Sequence, residues 1–296
     1  MRLGVFNGQL LGGFRLQGRE RPVLTPMCRV LGCVATEPVS LRYELLEADN
    51  PMIRQSEDHD SGWGLSVYKQ GEGEDPRCVR FPRAAFSDNG FHEATEMRGR
   101  IFNVHVRRAT MGGLVMANTH PFCLGPYSYC HNGTILHFPR LLELGIKEPK
   151  GNTDSEHFFN YLMSHCDRSD MVGSLRAAVK AVIQRSKFSG LNFLFADGER
   201  LYAYKLGIFD LYWLHRPGQL LVASERITDE DWHCVGQDVL LTLDPNDVEE
   251  PRAQRLVGDA VVEQAEIVRF TEGHDLRGEE RGRFAAERAA RMAAAE

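Results

Sequence analysis

The chain predicts an α+β fold layered around a β-sandwich, and three observations carry that prediction. Short apolar or alternating runs, each ended by turn residues, recur between residues 28 and 131. Two amphipathic stretches with helical spacing follow, at 153–165 and 171–185. Strand-like runs then resume from 192 to 243. Strands, then helices, then strands again suit sheets that pair face to face with helices packed outside them.

Taken in order, 28–35 (CRVLGCVA) reads as a strand and 41–47, with Tyr43, Leu45 and Leu46, as a helix. A loop rich in Asp and Ser at 55–61 leads into the strand 62–68 (GWGLSVY). Residues 82–97 are expected to be helical in part, before the strand 100–106 (RIFNVHV). Gly112 and Gly113 mark a turn, and the strand 127–131 ends at Asn132-Gly133, a dipeptide that favours tight turns. Thr153 or Asp154 supplies the N-cap of the first long helix. The later strands, 192–196, 201–204, 211–214, 220–223 and 239–243, are separated by turn signals such as Asp197-Gly198 and Pro217-Gly218. Residues 251–296 are charged and end in RFAAERAARMAAAE, so a helical tail is expected there, with residues 28–250 as the domain proper.

Composition narrows the function classes. Of 296 residues, 43% are apolar, enough for a sizeable core. Lys and Arg number 35 against 41 Asp and Glu, a net charge of −6, which argues against a general nucleic-acid binder. The sequence has no apolar run of the roughly 18 residues that a membrane span needs. Seven cysteines without a Cys-x-x-Cys pair argue against a disulfide framework and for a reducing, cytoplasmic setting. Residues 1–27 carry Arg2, Arg15, Arg19 and Arg21 among scattered glycines, without the continuous apolar stretch of a secretory signal. An extension, a propeptide or sequence upstream of the true start is expected there.

Reactive side chains concentrate in a few segments: Met27-Cys28-Arg29, HVRRATMGG at 105–113, NTHPF at 118–122 with CHNG at 130–133, and GNTDSE at 151–156. Singly, each has a plain explanation. A strand cysteine is usually a small buried hydrophobe, Asn-Gly a turn, and Asp154 a helix cap. The same holds for Cys33, Cys78, Cys123, Cys130, Cys166 and Cys234, all expected to be structural. The histidines and cysteines offer enough soft ligands for zinc, but their spacing matches no recurrent pattern of paired ligands.

In this order the segments resemble the class II glutamine amidotransferase domain, a member of the N-terminal-nucleophile hydrolases. That family opens with Cys and continues with His-x-Arg-x-Ala-Thr, His-Pro, His-Asn-Gly and Thr-Asp-Ser/Thr-Glu. Here these are Cys28, His105 to Thr110, His120-Pro121, His131-Asn132-Gly133 and Thr153 to Glu156. The resemblance covers about residues 28–245. It is nearest the short stand-alone branch that includes the ergothioneine-pathway γ-glutamyl hydrolase; compare MCRVLG at 27–32 and DSGWG at 60–64.

The resemblance implies a four-layer αββα sandwich and hydrolysis of the glutamine side-chain amide, through a γ-glutamyl thioester and without metal or organic cofactor. Cleaving an amide needs a nucleophile, a base, an oxyanion pocket and a grip on the substrate. Cys28, once N-terminal, would supply the thiol, and its α-amine, with a pKa near 7.7–8.0, the base. Asn132 and the Gly133 N–H would form the oxyanion hole. Arg107 would bind the substrate carboxylate as a planar fork and Asp154 its ammonium, with Thr110 and His120 as further pocket residues. Arg108 departs from the pattern, since larger members commonly carry Trp or Tyr there, which leaves open another γ-glutamyl amide as substrate. Residues 246–296 are too few for an acceptor domain with its own core, so a separate ammonia-accepting synthase, or solvent, is the expected recipient. A non-catalytic interaction module is the reading that follows if Cys28 is never freed.

Overall fold

The computed structural model describes residues 28–69, 74–144 and 148–269. Its frame is two antiparallel sheets. The first contains β1 (Arg29–Val39), β2 (Gly62–Tyr68), β3 (Arg77–Phe81), β4 (Gly99–Arg107), β9 (Tyr212–Arg216), β10 (Gln219–Ala223) and β11 (His233–Cys234), in the order β11-β9-β10-β1-β4-β2-β3. The second contains β5 (Phe122–Leu124), β6 (Tyr127–Asn132), β7 (Asn192–Ala196), β8 (Leu201–Lys205), β12 (Val239–Asp244) and β13 (Asp247–Arg255), in the order β13-β12-β8-β7-β6-β5.

The alternation of side chains along each strand sorts the residues into layers. On β1, Leu31 and Cys33 face outward into a core shared with Leu45, Met52, Phe91 and Ala94, beneath α1 (Met52–Gln55) and α2 (Asn89–Thr95). Val30 and Val34 face the other way and pack between the sheets with Ile101, Leu194, Leu201 and Leu220. A third core lies under α3 (Asp154–Ser164) and α4 (Met171–Arg185), where Phe158, Leu162, Leu175 and Val179 cover Tyr129, Phe193 and Phe195. Helices, sheet, sheet, helices is the four-layer αββα sandwich that was expected. The first long helix is capped by Thr153, one of the two candidates the sequence offered, and the second by Asp170, which the sequence reading did not name. Thr153 Oγ1 accepts from Glu156 N at 3.3 Å, and Asp170 Oδ1 accepts from Gly173 N at 2.8 Å.

Three expectations need correcting. The strands β3, β5, β11 and β13 were not foreseen, and β13 runs across the domain boundary placed at residue 250. The helix expected over 41–47 is a single turn at Tyr43–Glu47. Cys78 and Cys123 are not free structural thiols but form a disulfide. Their strands, β3 and β5, are the edge strands of the two different sheets, so residues 45 positions apart meet at one margin of the sandwich. The cysteine count therefore no longer argues for a reducing setting. Residues 1–27 and 270–296, with the expected extension and most of the helical tail, lie outside the described residues. Among the described residues no helix is long and apolar enough to cross a membrane.

Three backbones come together without side chains near the end of β6. A Cβ on Gly133 would stand 1.9 Å from Gly190 O, and one on Gly207 would stand 2.6 Å from Gly190 Cα. Gly190 and Gly207 also form an isolated bridge. Glycine is required at Gly133 by this close approach, a different reason from the hairpin turn its sequence suggested.

Candidate active site

The site lies at one end of the space between the sheets, where β1 begins and β4 and β6 end. Arg29 pairs with Val106 across β1 and β4, which sets Cys28 beside the last turn-out of β4. There the Arg108 N–H donates to Cys28 Sγ at 3.4 Å, and Sγ lies 3.5 Å from Arg108 O. Ser224, just after β10, fixes the start of β1 from the other side. Its Oγ accepts from Val30 N at 3.1 Å, and its own N–H donates to Val30 O. Cys28 is buried, and burial pushes its thiol pKa up, opposed by the Arg108 N–H and the charge of Arg107. The resting group is therefore a protonated thiol that needs a base.

Arg107 closes β4 and points into the inter-sheet space, as Asn103 and His105 do at alternate positions before it. Its guanidinium donates to Met111 O at 2.8 Å and Gly113 O at 3.1 Å, so it is held by the loop that follows. Asn118 donates to the same Gly113 carbonyl and to Asn152 Oδ1, while its own Oδ1 accepts from Asn152 N. This stitches the loop to the start of α3. Glu156 ties down the preceding segment by accepting from Lys150 N and Gly151 N.

Asp154 opens α3. Its Oδ2 accepts from Ile135 N at 2.7 Å, and burial raises its pKa to about 6 against the pull of backbone N–H groups and Arg107. The charges of Arg107 and Asp154 both reach the Cys28 sulfur. Asn132 ends β6 on the face that carries Ser128 and Cys130 toward the other sheet, and its buried Oδ1 has no hydrogen-bond partner among the described residues. His105 Nε2 donates to His131 O at 3.2 Å, bracing the end of β4 against the end of β6. The oxyanion-hole candidates Asn132 and Gly133 are thus placed at the site's end of the sandwich.

Thr110 and His120 are near but differently employed. Thr110 Oγ1 is 3.3 Å from Thr134 Oγ1, linking the loops after β4 and β6. The His120 ring stacks on His105 at 4.2 Å and lies tilted against Phe122 at 4.5 Å, and among the described residues neither of its nitrogens has a partner. Burial lowers its pKa, so the ring is neutral. His120 is a wall behind Arg107 and His105 and offers the site no charge. Sequence reasoning gave no role to Asn118, Asn152, Ser155 or His131 as side chains. The capping pattern around Thr153 was the signal available for Ser155 and Glu156, whereas the partners of the others lie far along the chain.

The family model for glutamine amidotransferases class-II matches residues 27–239. The chain is 30% identical over 223 residues to the uncharacterized protein MJ1515 of Methanocaldococcus jannaschii, covering 70% of this chain and 58% of that relative. It is 27% identical over 240 residues to YafJ of Escherichia coli K12, a glutamine amidotransferase by name alone, covering 75% and 87% of the two chains. Among solved structures, a glutamine aminotransferase class-II domain protein from Silicibacter pomeroyi aligns with a TM-score of 0.57 at 22% identity, over 78% of this chain and all of that one. The glutamine phosphoribosylpyrophosphate amidotransferase of B. subtilis aligns with a TM-score of 0.62 at 16% identity, over 78% of this chain and 50% of its own. Those two likenesses show a shared fold. With a family model spanning most of its length, the chain belongs to the class II glutamine amidotransferases.

Proposed function

We propose that this protein hydrolyses the side-chain amide of glutamine through a γ-glutamyl thioester on Cys28. The observation that carries the reading is the grouping of a buried thiol with one fixed guanidinium and one buried carboxylate, Arg107 and Asp154. That trio matches the thiol, carboxylate and ammonium ends of a reacting amino-acid amide. The α-amine of a freed Cys28 takes the thiol proton as sulfur attacks the amide carbon. Asn132 and the Gly133 N–H receive the oxyanion, and the protonated amine gives its proton to the departing ammonia. Water then adds to the thioester, releasing glutamate and restoring the thiol. The step requires removal of residues 1–27, as a propeptide or because synthesis begins at Met27 and loses it.

A second reading keeps the chemistry and changes the leaving group to another γ-glutamyl amide. It is favoured by Arg108, whose backbone touches the sulfur and whose side chain reaches Asp58 O at 2.9 Å, giving the mouth a cation. Ammonia would pass to a separate synthase, and the cytoplasmic setting rests on the thiol nucleophile alone. Protein produced from Met27 tests all of this. Glutamate release from glutamine and from a panel of γ-glutamyl amides should be abolished by Cys28→Ala and retained by Cys33→Ala. Equal activity of the two variants would overturn the assignment.

A further inference from the structure

We infer that Ser155 and His131 are positioning residues for Asp154, keeping its carboxylate free of side-chain donors so that a substrate ammonium is the cation it takes. The inference rests on the proposed use of Asp154 and goes beyond it by assigning a hydrogen-bond direction to each member of the chain Gly190–His131–Ser155–Asp154.

The assignment follows from what each atom can do. His131 Nε2 lies 3.1 Å from Gly190 O, and a carbonyl oxygen only accepts, so Nε2 carries a hydrogen. His131 is buried, and burial lowers its pKa to about 4, so the ring is neutral and Nδ1 is a bare lone pair. Nδ1 is 2.9 Å from Ser155 Oγ, hence the hydroxyl donates to it. A serine has one proton to give, and this one is committed. What Ser155 then turns toward Asp154 Oδ1, 3.5 Å away, is a lone pair. His131 Nδ1, 4.0 Å from Asp154 Oδ2, likewise offers no proton. The carboxylate is anchored by the Ile135 N–H on Oδ2 and feels the charge of Arg107, but among the described residues no side-chain hydrogen-bond donor is committed to it. The chain acts as a one-way device: Gly190 fixes the histidine tautomer, the tautomer fixes the hydroxyl, and the hydroxyl denies Asp154 an internal donor.

This predicts selection for γ-glutamyl donors with a free α-ammonium. The test compares glutamine with glutaramate, the same amide without the amino group, in the wild type, Ser155→Ala and Ser155→Thr. With glutamine, Ser155→Ala removes the donor that holds Nδ1 as a lone pair and lets the ring take the other tautomer, with an Nδ1–H facing Asp154 Oδ2, so KM should rise about tenfold with kcat within about threefold, and Ser155→Thr should restore KM. With glutaramate the variants should match the wild type. An equal loss on both amides, or a loss in kcat, would overturn the inference, because a general packing defect does not read the ammonium. A readout independent of activity is ¹⁵N NMR of the imidazoles, with His131 assigned by difference from His131→Gln. A protonated Nε2 with a hydrogen-bonded Nδ1 that loses its bond in Ser155→Ala supports the chain; the opposite tautomer refutes it. Should neither amide be hydrolysed, the functional reading fails while the NMR result still decides the hydrogen-bond chain.

Discussion

The space between the two sheets has two ends made from the same strands, and they are filled in opposite ways. At one end Val34, Ile101, Leu201, Leu220 and Leu243 interdigitate so closely that a Cβ on Gly32 would push the Leu201 side chain aside, meeting Cδ2 at 2.6 Å. At the other, Arg107, His105, Asn132 and the Cys28 thiol occupy the equivalent layer, all buried. Dense apolar packing of the first kind gives close-packed rigidity. The second kind costs stability, since buried polar atoms such as Asn132 Oδ1 and both His120 nitrogens go without partners among the described residues. The lesson is that the apolar end supports the frame so that the polar end can hold groups in an unrelaxed state.

The contrast can be broken most sharply at Cys28. Cys28→Ala should lower amide hydrolysis by about 10⁴-fold or more, measured as glutamate release, as expected for loss of a nucleophile. Cys33, on the outward face of the same strand and buried to 0% exposure, should tolerate alanine with activity within a few-fold. Next in size, Asn132→Ala should reduce kcat by about 10²–10³-fold with little change in melting temperature, the signature of a lost oxyanion donor. The opposite end should invert that pattern. Leu201→Ala should destabilise by about 2–5 kcal/mol in denaturant unfolding while leaving the specific activity of the folded fraction unchanged.

Asp154 sharpens the comparison at smaller cost. Its carboxyl is raised to about 6 by burial, above its usual range near 4, so the folded state holds the proton more tightly than the unfolded chain. Stability therefore declines as pH rises from about 4 to about 6, and the deficit persists above that. Asp154→Asn should abolish the ammonium grip yet stabilise the fold by about 1–3 kcal/mol at pH 7–8, a gain that vanishes below about pH 4. In the wild type, kcat/KM should fall about tenfold per pH unit below about 6 as this carboxylate is lost.

How much was legible in the sequence follows the same division. Strands with strong apolar character, such as 62–68 and 192–196, and the helix behind Thr153 could be read locally. The strands β3 (RCVRF) and β13 (DVEEPRAQR) could not, because they are edge strands, partly or largely exposed, whose pairing comes from a neighbour. The disulfide was hidden for the same reason, as it joins two strands that sequence patterning did not find. In the site, Cys28, Arg107, Asn132 and Asp154 sit in local motifs that name their chemistry. The hydrogen-bond directions around His131 depend on Gly190, 59 residues away, and the hold on Arg107 depends on Asn118 and Asn152, so they emerge only from the fold.

The three glycines at the end of β6 also constrain how this protein can diverge. Gly133, Gly190 and Gly207 press backbone against backbone, and Gly190 O is the acceptor that sets the His131 tautomer. Gly133 and Gly207 cannot gain a side chain without displacing another main chain, whereas a Cβ on Gly190 would meet the Phe209 ring at 2.9 Å. A library randomising Gly133 or Gly207 and screened for folded protein should return glycine alone. A library randomising all three together offers no easy escape, because moving Gly190 also turns His131. The positions form one packed unit, and grafting this pocket onto another sandwich would require carrying all three across.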